Sequence, residues 1–205
     1  MPKSEQRMGV KSGAGLIPFA RRGDGVEFLF HRTFSGRRAG LLVDFGGGSR
    51  PGEPQSDTAL REFIEETEAM YLADDIHQVD RSQRFIQAQL PQLRECFART
   101  QQAYPHWWCR RRPASGKPPK DWKTFFVELE YRDPAAMNRA WAEDGGQRFA
   151  KRRELVWVPA PELLEIFQHH PERLWTRLRE LEDPLPIIRE IAVIRAAANS
   201  AAPRC

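Results

Sequence analysis

At 205 residues, with 40% hydrophobic and 29% charged residues, the chain is long enough to bury a full core and has the composition of an ordinary globular protein. No apolar run approaches the roughly 18 to 20 residues of a membrane span, and the opening MPKSEQRMGVKSG lacks the apolar stretch of a secretory signal, so a cytoplasmic protein with no membrane partner is expected. The net charge of +4, from 32 Lys and Arg against 28 Asp and Glu, leaves a surface able to attract anionic ligands such as phosphates.

Residues 1–12 are polar and are expected to be loose. A single domain is expected over 13–198, with a basic insertion at about 87–120 and a tail at 199–205. GAGLIPFA at 13–20, a Gly-Asp-Gly turn and a β-rich segment ending near Arg32 read as strand, turn, strand. GLLVDF at 40–45 is a third strand candidate that runs into Gly46, Gly47 and Gly48. From Thr58 to about Leu72 the period becomes helical: Leu60, Phe63, Ile64 and Thr67 share one face, with Glu62, Glu65 and Glu66 opposite. Asp57 is the expected N-cap.

QLPQLRECFARTQQAY is compatible with a helix and leads into HWWCRRRPASGKPPK, read as the loop of the insertion. Trp107 and Trp108 beside Arg110, Arg111 and Arg112 suit either a nucleic-acid stacking surface or an apolar anchor for that insertion, and the anchor is the preferred reading. Cys96, Cys109 and Cys205 form an odd, unpatterned set, which argues for free thiols, and with His106 they lack zinc-finger spacing. KTFFVELEY at 123–131 and residues 154–158 read as strands, the second stopped by Pro159. Helices are expected from Pro161 and within PERLWTRLRELE and LPIIREIAVIRAAA. The last helix either closes the core or pairs two subunits as a homodimer. Strands, helix, strands, helices in that order indicate a mixed α/β domain.

Three carboxylates at i, i+3 and i+4 repel one another, and either solvent or a hard divalent cation offsets that repulsion. Their flanks decide between the two. Gly47, Glu53, Arg61, Glu62, Phe63, Glu65 and Glu66 match the pattern of a glycine, five residues, Glu, seven residues and Arg-Glu-U-x-Glu-Glu, U being bulky and apolar. A chance match is on the order of one in ten million per start point. Over residues 47–69 the chain thus resembles the Nudix hydrolase family, departing from its pattern at Glu68, where a glycine is usual, and at Phe45, where many members have proline. The missing glycine predicts a helix that runs on through Ala69 and Met70 or ends in a strained way.

The resemblance implies an α/β/α sandwich, a mixed sheet between helices, and metal-dependent hydrolysis of a nucleoside diphosphate linked to another moiety, with Mg2+ or Mn2+ as cofactor. Carried over by position, Glu62, Glu65 and Glu66 with the Gly47 carbonyl and an outlying acid become metal ligands. Glu154 is the first candidate for that acid, with Glu143 and Asp144 as alternatives. Glu62 or Glu65 would accept a proton from water, Glu53 and Arg61 would form an orienting ion pair, and Arg32, Arg37 and Arg38 would bind substrate. The window DRSQRFIQAQ lacks the Pro or Tyr that marks certain branches, so nucleoside diphosphate sugars, dinucleotides, modified nucleotides and inositol pyrophosphates all stay open. The alternative is a catalytically weak or inactive module of the same fold that binds nucleotide, RNA or protein.

Overall fold

The computed structural model describes residues 11–80, 82–113, 120–145, 147–149 and 152–194. The expected loose N-terminus, apart from its last residues, and the expected C-terminal tail lie outside them.

Strands β1 (Ser12–Arg22) and β2 (Gly25–Thr33) form the first hairpin, with Phe19 opposite Phe28. Strand β3 (Phe45–Gly48) is followed by helices α1 (Gln55–Glu66) and α2 (Gln83–Ala103), then by strands β4 (Trp108–Arg110) and β5 (Asp121–Glu128). Helix α3 (Ala135–Glu143), strand β6 (Arg153–Pro159) and helices α4 (Ala160–His169), α5 (Thr176–Arg179) and α6 (Pro184–Val193) complete the described chain. The sheet order is β4-β5-β1-β2-β6, with β3 attached to β1. The β1–β5 pair is parallel and the others antiparallel, so the sheet is mixed.

Side chains alternate across each strand, and each face of the sheet has its own helical layer. Ala14, Leu16, Leu29, Val127 and Leu155 face α1, α2 and α3, which contribute Phe63, Ile64, Leu93 and Trp141. Ile17, Phe19, Phe28, Phe126 and Val158 face α4, α5 and α6, which contribute Leu163, Ile166, Leu178 and Ile188. The result is a three-layer α/β/α sandwich. Within 87–120, α2 packs into the first core, β4 pairs with β5, and residues 114–119 lie outside the described chain. Trp107 is fully buried and stacked on Tyr104 at 3.7 Å, which makes it an anchor and not a stacking platform. Cys109 is a free buried thiol, but Cys96 is disulfide-bonded, so the expectation of three free thiols is corrected: an unpatterned count does not report which sulfurs meet in space. Helix α6 places Ile187, Ile188 and Ile191 in the second core.

Two local expectations differ from the structure, and it decides a third. Of GLLVDF only Phe45 joins a strand, as the first residue of β3, while Leu42 and Val43 make isolated bridges. Because Gly46 has no side chain it lies flat against β1; a Cβ there would stand 2.4 Å from the Ala14 carbonyl oxygen. Helix α1 begins at Gln55 after Pro54, so Asp57 sits in its first turn, favoured by the helix dipole, instead of capping it. At the other end α1 stops at Glu66, and Glu68 and Ala69 take left-handed φ values of 51° and 60°. Of the two expected outcomes for the missing glycine, the strained ending is the one found.

Candidate active site

Strand β1 forks: its N-terminal half pairs with β3 and its C-terminal half with β2 on the same edge. The outer edge of β3 is therefore left without a strand partner, and both helical layers reach it. The Gly46 N–H donates to Glu66 Oε2 at 2.7 Å, from the α1 side, and the Gly46 carbonyl accepts from Arg177 Nη1 at 3.0 Å, from the α5 side.

Arg61 organises the face of α1. Its Nε and Nη2 donate to the two oxygens of Glu53 at 2.8 and 3.0 Å, and Nη2 also reaches the Gly48 carbonyl at 3.0 Å. Its Nη1 donates to Glu62 Oε1 at 2.8 Å and Glu65 Oε2 at 2.9 Å. One buried guanidinium thus ties the glycine strand, the loop and two carboxylates of the helix, using the planar fork that only Arg offers. The hydrogen bonds from Arg61 hold the Glu53 carboxyl down to about 2, with its burial opposing. Glu62 is shifted the other way, raised by burial against the pull of Arg61.

Glu66 points elsewhere. Besides Gly46 it approaches Arg153 Nη2 at 3.6 Å and His31 Nε2 at 3.7 Å. Burial pushes its pKa up, but the His31 ring and the Arg153 and Arg177 charges outweigh it and hold Glu66 below its ordinary value. Burial in turn lowers His31, against the pull of Glu66.

Beside this cluster lies a cavity of about 890 Å³ whose wall includes His31, Arg37, Arg38, Lys120, Arg153 and Arg177. Arg177 is buried and fixed by the fully buried Asp44, to whose side chain Nε donates at 2.8 Å and whose carbonyl accepts from Nη2 at 2.9 Å. Its guanidinium also covers the Trp122 ring at 4.5 Å.

The structure thus brings together Gly47, Glu53, Arg61, Glu62 and Glu65, sets Glu66 against the cavity wall, and places Arg37 and Arg38 in that wall. It does not bring Glu154 or Arg32 there. These two are register partners in β6 and β2, and strand alternation points them to the sheet face opposite Arg153 and His31. The expectation that Glu154 is a metal ligand is therefore corrected: its neighbour Arg153 holds the place beside Glu66. Arg32 is corrected likewise, being absent from the cavity wall. Of the alternatives to Glu154, Asp144 accepts the N–H groups of Arg148 and Phe149 in a turn, and Glu143 ends α3. Sequence reasoning missed His31, Asp44, Lys120, Arg153 and Arg177; Asp44 and Arg177 are separated by 133 positions, and no local pattern joins them.

No three His, Cys, Asp or Glu side chains converge as a ready-made metal cage among the described residues. A closed cage is not what Mg2+ uses beside phosphates, where one or two carboxylates, waters and the substrate share its coordination. Glu62 and Glu65 fit that mode: all their donors are hard oxygens, both accept from one nitrogen of Arg61, and Glu62 packs where a side chain on Gly47 would stand. A Cβ at Gly47 would lie 2.3 Å from the Glu62 carboxyl carbon.

No family model and no curated protein matches the chain. Among solved structures it is similar to a C. elegans Ap4A hydrolase in a binary complex, at 15% identity and a TM-score of 0.47, over 89% of this chain and 95% of that one. It is also similar to a NUDIX hydrolase from Alicyclobacillus acidocaldarius, at 16% identity and a TM-score of 0.45, over 92% and 93%. The NUDIX domain of Shewanella oneidensis NrtR, complexed with ADP ribose, gives 12% identity and a TM-score of 0.44 over 93% of each chain. With TM-scores below 0.5 these likenesses say nothing of activity, and the functional reading rests on the site's own residues.

Proposed function

We propose that the chain is a Nudix-type pyrophosphohydrolase, dependent on Mg2+ or Mn2+, that cleaves a diphosphate linked to another moiety. The observation that carries this reading is the Arg61 hub. The residues that match the signature lie within 20 positions: Glu53, Glu62 and Glu65 meet around the Arg61 guanidinium, which also reaches the glycine strand at Gly48, while Glu66 contacts His31 and Arg153 of the basic cavity wall.

Glu62 and Glu65 would hold the metal together with substrate phosphate oxygens; Glu66 is bonded instead to the Gly46 N–H. When bound, the metal polarises the phosphate and lowers the pKa of water. The chain does the positioning. Arg61 and Glu53 fix the two carboxylates in place, and Arg177, itself fixed by Asp44, presents a rigid positive edge to the diphosphate. Glu62 Oε1 is engaged by Arg61, whereas both oxygens of Glu65 are taken, by Arg61 and by Arg50 at 3.1 Å. Among the described residues Glu62 Oε2 has no hydrogen-bond donor, so it is the oxygen free to accept a proton from the attacking water.

A panel of nucleoside diphosphate sugars, dinucleoside polyphosphates and other diphosphates, incubated with Mg2+ or Mn2+, tests the reading. One or more should be cleaved, and Glu62→Gln should lower kcat by about 100-fold or more. Turnover of none by the folded protein would leave a binding module of the same fold, and wild-type kcat in Glu62→Gln would overturn the assignment of Glu62 as the base.

A further inference from the structure

We propose that the cavity selects its ligand by the number of phosphate charges and not by a nucleobase, so that its substrate class is a multiply phosphorylated polyanion. The inference rests on the pyrophosphohydrolase reading and narrows it. Seven Arg or Lys side chains line the cavity against one carboxylate, Glu180. Three of the seven already have carboxylate partners: Arg111 with Glu180, Arg153 with Glu66 and Arg177 with Asp44. The other four, Arg37, Arg38, Lys120 and Arg179, have no carboxylate within 4 Å among the described residues. Four cations without a carboxylate partner leave the cavity with an excess of positive charge that an entering anion would offset.

The aromatic rings of the cavity are already covered by cations on at least one face. Lys120 and Arg177 lie over Trp122 at 4.6 and 4.5 Å from the ring centre, and Trp122 is itself buried. Arg38 lies over Trp175 at 4.9 Å. Each ring thus carries a cation over at least one face, which a base stacking on that face would have to displace. The diphosphate of a nucleotide sugar carries too little charge to neutralise four cations as well as the metal, whereas a chain or cluster of phosphates matches them.

Isothermal titration of the metal-free full chain with inorganic tripolyphosphate, ATP and ADP-ribose separates charge from base. Tripolyphosphate should bind about tenfold tighter than ADP-ribose, ATP no tighter than tripolyphosphate, and affinity should fall steeply with salt. The double variant Arg37→Ala/Arg38→Ala, both side chains being at least partly exposed, should fold with an unchanged melting temperature and lose that preference. ADP-ribose binding as tightly as tripolyphosphate, ATP binding much more tightly than it, or a preference that survives the double variant would overturn the inference. A chain that binds tripolyphosphate but cleaves nothing loses the proposed activity and keeps this inference; one that cleaves ADP-ribose with a base-dependent KM does the reverse.

Discussion

A single guanidinium carries most of the site's order, and its removal has a definite cost. Arg61→Ala would leave Glu53 and Glu62 without their cation and Glu65 with Arg50 alone, and breaking a buried pair from one side typically costs about 3–5 kcal/mol. Urea denaturation should show that loss. Glu53 adds a pH signature. Its folded pKa of about 2 lies below its ordinary 4.5, so its contribution to stability is full above pH 4.5 and disappears as the pH falls toward 2. Glu53→Gln should therefore flatten the stability profile across that window and lower stability above it. Gly47→Ala separates chemistry from folding. The added methyl would collide with the flexible end of Glu62, not with backbone, so kcat should fall with little change in melting temperature. The residues behind these predictions were legible because the signature places them within 20 positions. Glu154 was not rightly placed, since one step along a strand exchanges the faces and the sequence does not mark which of Arg153 and Glu154 turns to α1.

At the level of elements, the end of α1 is the clearest conflict between local preference and fold. Two consecutive non-glycine residues, Glu68 and Ala69, hold left-handed φ values, at roughly 1–2 kcal/mol each. The turn persists because Ala69 is anchored on both sides: its N–H donates to the Ile64 carbonyl at 2.9 Å and its own carbonyl accepts from Gln89 at 2.7 Å. Glu68→Gly should raise stability by about 1 kcal/mol in chemical denaturation, as the strain is relieved. A fall would mean that the contacts of the buried Glu68 side chain outweigh the strain. Sequence periodicity found this helix but began it three residues late, because Gln55, Ser56 and Asp57 form a polar first turn with no apolar mark. It misread GLLVDF and the glycines for a related reason. Apolar character suggested a strand at Leu42 and Val43, where only bridges form, while the tight backbone contact that makes Gly46 a strand residue has no hydrophobic signature.

Across the whole molecule, the two helical layers meet the site through one backbone unit, Gly46, held by Glu66 from one side and Arg177 from the other. Arg177→Met would strand the fully buried Asp44 and should cost about 3–5 kcal/mol. Adding Asp44→Asn should recover part of that loss, a non-additivity that a double-mutant cycle in urea would measure. The order of strands and helices was enough to anticipate a mixed α/β domain, because each element announced its own period; the three layers were expected from the family resemblance. The tie between α5 and β3 was not, since it depends on how distant segments pack.

The parts of the site come from separate stretches of chain. The carboxylates and their guanidinium lie on α1 and the loop before it, whereas the cavity's cations come from the turn after β2, the start of β5, the start of β6 and the α5 region. Ligand preference could therefore be redesigned by substitutions at Arg37, Arg38 or Arg179 that leave α1 and its carboxylates untouched.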